Sequence, residues 1–150
     1  MPSDFVTAAA LAAALPQVLA APRDAAPITG LCRRPGFGLR EFPETLAMTR
    51  AEGVPGERWL TLPWLKLPDG SPDPSIQVSI LPSRVLDLIW RDRAGTVHPG
   101  DNIVADLDCS LANLPAGSLM AAMPRTASPC RATLNCGCAA SIARLNVMAR

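Results

Sequence analysis

Asp101-Asn102-Ile103-Val104-Ala105-Asp106-Leu107-Asp108-Cys109-Ser110-Leu111-Ala112-Asn113-Leu114-Pro115-Ala116-Gly117 sets polar groups against a strand and then ends that strand twice. Asn102 to Leu107 alternates weakly between apolar and polar residues, the pattern of a half-buried strand. Asp108, Ser110 and Asn113 follow in a turn closed by Pro115 and Gly117. Side chains of these types at a strand end present donors and acceptors to one place. They either line a pocket or cap their own turn through Asx and Ser/Thr hydrogen bonds, and spacing alone favours the cap.

The segment upstream has the same character. Ile76 to Leu81 alternates apolar and polar, the clearest strand pattern in the chain, and Pro82 ends it. Ser83 then caps a short helix over Arg84 to Trp90, whose apolar face is Val85, Leu88 and Ile89. Arg91 to Gly100 is a polar turn. His98 lies there beside Pro99 and Gly100, and with no partner residue next to it reads as a loop residue rather than a catalytic base. Ser118 to Met123 is a further strand. Pro124 to Arg150 is rich in small residues and irregular until a short terminal helix over Ala139 to Met148.

Toward the N-terminus, Phe5, Ala8, Leu11, Leu15 and Leu19 fall on one helical face, with Ser3 and Asp4 as caps and Pro16 as a kink or a break. A secretory leader is the rival reading, but Asp4 and the lack of Lys or Arg at its start disfavour it. Ala21 to Gly30 is a connector, and Leu31 to Gly38 carries Arg33 and Arg34 into a Gly-rich turn, where they can bind an anion or cap a helix. Thr45 to Thr49 reads as a strand. Arg50 to Trp59 is a compact turn that delivers Glu57, Arg58 and Trp59 together, with an ion pair between neighbours as its simplest content. Leu60 to Ser75 is a Pro-rich surface excursion anchored by Trp64 and Leu65.

The 150 residues suffice for one domain with a core that needs no staple. We divide them into an N-terminal helix and connector, residues 1–30, and a domain over residues 31–150. A net charge of +1 argues against a nucleic-acid or anionic-membrane partner, and no apolar run is long enough to cross a membrane. Sixteen prolines favour short strands and turns over a helical bundle. The class expected is mainly β or α+β, a curled or barrel-like sheet with a few short helices. Five cysteines in no even framework point to a reducing, cytoplasmic setting. Cys136 and Cys138 form a C-x-C pair, but a closed zinc site needs four ligands and His98 is the only histidine.

Three segments together, Gly53-Val54-Pro55-Gly56-Glu57-Arg58-Trp59, the stretch Gly100 to Gly117, and Asn135-Cys136-Gly137-Cys138 with Arg144, resemble the signature blocks of the MOSC family, the C-terminal domain of molybdenum cofactor sulfurases and its free-standing relatives. The resemblance runs from about Leu31 to Arg144 and lies in the order and spacing of all three. It implies a β-barrel-like domain that binds molybdenum cofactor (molybdopterin). It also implies a cysteine thiolate acting in sulfur carriage or transfer, or in reduction of a small N-hydroxylated substrate. By position that thiol, and molybdenum ligand, is Cys138, with Asn135 and Arg144 beside it. Arg58, Asp108, Ser110 and Asn113 become the candidates for the pterin ring and its phosphate. A thiolate is a soft ligand and an arginine suits a phosphate.

Two departures stand out. Glu57 occupies a position where the family carries Asp. Ala121 to Arg131 and Ala139 to Ile142 lack the apolar strand and the basic-aromatic segment expected around the cysteine, which supports the alternative of a non-catalytic binding module or degenerate member without a working thiol. The only lysine, Lys66, lies in the Pro-rich excursion and does not suit a Schiff base. A separate cysteine desulfurase or other sulfur donor would therefore load the thiol.

Overall fold

The computed structural model describes residues 5–124 and 142–148, with backbone alone for residues 122–124 and 142–148. It is a mixed α/β domain. Two α-helices, α1 (Ala8–Leu19) and α2 (Ser83–Ile89), accompany five strands, β1 (Ala26–Leu31), β2 (Ile80–Pro82), β3 (Ile103–Ala105), β4 (Leu119–Pro124) and β5 (Ile142–Met148). The strands form one sheet in the order β2-β3-β1-β5-β4. Among the described residues this sheet is open, with β2 and β4 at its edges, rather than closed into a barrel.

The centre of the sheet is the pair β1 and β3, antiparallel, with Leu31 opposite Ile103 and Ile28 opposite Ala105. All three residues of β3 are buried, as for a strand covered on both faces. With Leu31, Leu46, Val54 and Leu107 they make the core. Parallel β2 reaches β3 through α2, and antiparallel β5 joins β1 to β4. Residue 30, the end of the expected connector, thus lies inside the central strand.

Several local expectations give way to tertiary contacts. The stretch Ile76 to Leu81 is extended only from Ile80, because Asp73 caps a single 3-10 turn over Pro74–Ile76 and the Ser79 N–H donates to the side chain of Asn102 at 3.0 Å. Ser83 begins α2 without a capping bond, and Pro82 holds the cap position. Thr45 to Thr49 is no strand: Thr49 exchanges two backbone bonds with Gly53 across a tight turn. The terminal helix expected over Ala139 to Met148 is replaced, from Ile142 onward, by β5, whose pairing to both β1 and β4 outweighs local propensity.

α1 is capped by Thr7, whose hydroxyl accepts the Ala10 N–H at 3.2 Å; the expected caps Ser3 and Asp4 lie outside the described residues. Pro16 lies inside the helix without splitting it. The expected apolar face is not a core face: Phe5, Leu11, Leu15 and Leu19 are exposed and no residue of α1 is buried. Alanines surround those leucines on every side, so the helix has little directional preference to orient it. In the excursion the expected anchor Trp64 is 77% exposed, whereas Trp59 is buried and donates its indole N–H to the Asp73 carbonyl at 3.1 Å.

Candidate functional site

Asn102, at the start of β3, is fully buried and is the hub of a polar network. Its amide nitrogen donates to the Cys32 carbonyl at 3.2 Å and to the Glu57 carboxylate. Its oxygen accepts from Ser79 N at 3.0 Å and from Arg34 Nη2 at 3.3 Å. Every donor and acceptor of the amide is matched, which is what a buried amide requires.

The turn from Arg50 to Trp59 feeds this hub. Gly53 adopts φ +63°, and a Cβ there would meet Gln77 Cγ at 2.4 Å, so both conformation and space demand glycine. The turn carries Glu57 inward, its side chain only 1% exposed, where the carboxylate bridges Arg34 and Asn102. The expected pairing between neighbours of the turn is therefore replaced by an ion pair across the chain. The Glu57 side chain leaves the turn and ties it to the residue that precedes β3.

Above the network lies a cavity of about 220 Å³, walled by Trp59 and Trp64 and carrying Arg34, Arg58, Ser75 and Ser79 on its lining. Arg34 Nε and Nη2 are engaged by Glu57 and Asn102. The Arg58 guanidinium lies over the exposed Phe37 ring at 5.8 Å and, among the described residues, has no hydrogen-bonded acceptor. One guanidinium is thus held rigid and neutralised, and a second, on the same cavity lining as Trp59 and Trp64, is available to an anion.

Asp108, Ser110 and Asn113 lie beyond the opposite end of β3. Asp108 accepts the Ser110 N–H at 2.9 Å, and Asn113 Nδ2 donates to the carbonyls of Asp108 at 2.8 Å and Arg23 at 3.0 Å. Arg23 returns a bond to Asn113 Oδ1 at 3.1 Å and stands 4.0 Å from the Asp108 carboxylate. The Ser110 amide, with smaller help from its hydroxyl and from Arg23, holds the Asp108 carboxyl below the usual carboxylate range. Here the turn caps itself and ties the connector to the sheet. These three residues do not line the cavity of Arg58.

Asn135 and Cys138 lie outside the described residues. Arg144 lies in β5 with its backbone opposite Pro27 of β1 and Met123 of β4. Of the other cysteines, Cys32 and Cys109 are free thiols, and burial pushes both above the usual thiol range, the reverse of an activated thiolate. Among the described residues no group of three or more His, Cys, Asp or Glu is placed to hold a metal. The described residues offer donors for an anion and surfaces for a flat ring, and no cluster of three or more metal-ligating side chains.

Sequence reasoning singled out Arg58 and named Arg33 and Arg34 as an anion binder or helix cap, but it did not foresee Asn102 as a hub, nor Trp64 and Ser79 in the lining. The only available signal for the hub was an asparagine at a strand start, which reads equally as a turn residue. No family model, no curated protein and no solved structure matches the chain. The class defined by fold and site is a mixed α/β domain with a small cationic, aromatic-walled cavity at one end of its central strand.

Proposed function

We propose that the chain is a MOSC-type protein that binds molybdenum cofactor in the cavity between Trp59 and Trp64, with Cys138 as its thiol. The observation that carries the reading is the Arg58 guanidinium, without an acceptor among the described residues, on the lining of a cavity that Trp59 and Trp64 also line. An arginine matches a phosphate bidentately, and an indole face accepts a planar heterocycle. The cofactor, when bound, would supply the metal centre for sulfur transfer or for reduction of a small N-hydroxylated substrate. This chain's own part would be to hold the phosphate through Arg58, to fix the cavity floor through Arg34, Glu57 and Asn102, and to supply the thiolate. A barrel-like closure of the sheet belongs to the same proposal, as does loading by a separate sulfur donor.

The test is expression in cells that make the cofactor, followed by measurement of bound pterin and bound molybdenum. Wild type should carry both, Arg58→Ala should lose both, and Cys138→Ala should keep the pterin and lose the metal. Absence of pterin from folded wild type would overturn the reading. Equal metal in wild type and Cys138→Ala would leave a binding module without a working thiol.

A further inference from the structure

A second cavity, of about 500 Å³, lies between α2 and the β1–β3 pair and shares no lining residue with the first. Its size is within the range of small-molecule pockets. Phe42, Leu86, Trp90 and Val104 give it apolar and aromatic walls. His98 sits among them, nine-tenths buried, with the Trp90 and Phe42 rings edge-on to it at 4.8 and 5.1 Å.

The protonation of His98 is fixed by its neighbours. Nδ1 accepts the Gly100 N–H at 2.9 Å, so the neutral ring carries its proton on Nε2. Burial is the largest influence on the ring and pushes its pKa down. Among the described residues Nε2 has no partner, and no enclosed side-chain nitrogen or oxygen lacks one, so Nε2 is reachable from open space. The charged groups of the lining are already matched: Arg93 pairs with Asp87 at 2.5 Å and stacks over Trp90 at 4.9 Å. Among the described residues the Ser83 side chain has no hydrogen bond, whereas the Thr29 hydroxyl donates to the Val104 carbonyl at 3.3 Å. The cavity therefore combines aromatic walls, no unmatched charge on its lining and one oriented N–H.

We infer that this cavity is a second binding site, for a small uncharged aromatic or heteroaromatic compound whose carbonyl or ring nitrogen accepts from His98 Nε2–H. On the lining itself a carboxylate would meet no unpaired cation and an ammonium no unpaired carboxylate, while Arg40 and Asp101 act on His98 from outside the lining with opposite sign. The volume suits a single ring or a fused pair.

The probe is benzamide, with benzoate and benzylamine as its charged counterparts, titrated into the full chain at pH 7.5 and followed by amide and indole NMR shifts. Benzamide should move the signals of Leu86, Trp90 and His98 and bind at least about fivefold more tightly than either charged analogue. His98→Phe keeps a ring and loses the donor, and should weaken benzamide about tenfold, the worth of one hydrogen bond. Leu86→Trp should abolish binding by filling the space. Arg58→Ala should leave benzamide binding unchanged, which separates this site from the first. No shifts at these residues in wild type, or equal binding of all three probes, would overturn the inference. Because both outcomes are read on wild type, they stand even if a variant fails to fold.

Discussion

The two ends of β3 carry similar residue types and put them to different use. At the Asn102 end a buried carboxylate and a buried amide are joined to a partly exposed guanidinium, and a second guanidinium is left beside a cavity. At the Asp108 end a carboxylate, an amide and an arginine are joined by short-range bonds around a turn, with Arg23 largely exposed. The difference is one of supply. A strand-end cluster becomes a binding surface only where its internal bonds leave a donor over, and Arg58 is that donor.

The largest effect should come from Glu57→Ala. It takes the counter-charge from the partly exposed Arg34 and leaves one Asn102 N–H unmatched, while the Arg34–Asn102 and Asn102–Cys32 bonds remain; removing one partner of a buried pair costs about 3–5 kcal/mol, and the loss here falls at the lower end of that range. Urea unfolding of wild type and variant would measure it, and a loss under about 1 kcal/mol would mean that water enters the network and the two ends are alike.

Asp108→Ala should cost less, about 1–2 kcal/mol, the usual worth of a side chain that caps backbone N–H groups. Its pH dependence carries a sign. The folded pKa of Asp108 is lowered, so its contribution is present above the unfolded value of about 3.9 and is lost as pH falls through the folded value. The gap between wild type and Asp108→Ala should therefore narrow in unfolding curves below about pH 4. A gap that stays constant down to pH 2 would show that the charge contributes nothing.

What the sequence discloses follows the same division between local and distant bonds. The turn after β3 was readable because its cap joins residues two apart, Asp108 and Ser110, and Pro115 and Gly117 close it nearby. α2 and β4 were readable from their own spacing. The Glu57 network was not, since Arg34 and Asn102 lie 23 and 45 positions from the carboxylate and a charged residue in a Gly-rich turn ordinarily faces water. β5 was missed for the same reason: Leu145 and Arg144 find their partners in Ala26 and Pro27, at the other end of the chain. The family resemblance named Arg58, which lines a cavity, together with Asp108, Ser110 and Asn113, which bond to their own turn.

The smallest effect on stability, and the sharpest division of the two ends, should come from Arg58→Ala. The side chain makes no hydrogen bond among the described residues and lies over the exposed ring of Phe37, so the change in unfolding free energy should stay within about 0.5 kcal/mol. Pterin retention should nevertheless fall to background, because the lost group is the available cation. Asp108→Ala should behave in reverse, less stable but still carrying pterin. If folded Asp108→Ala loses the pterin and Arg58→Ala keeps it, the ligand sits at the self-capped end after all, and the bonds around Asp108 must open to admit it.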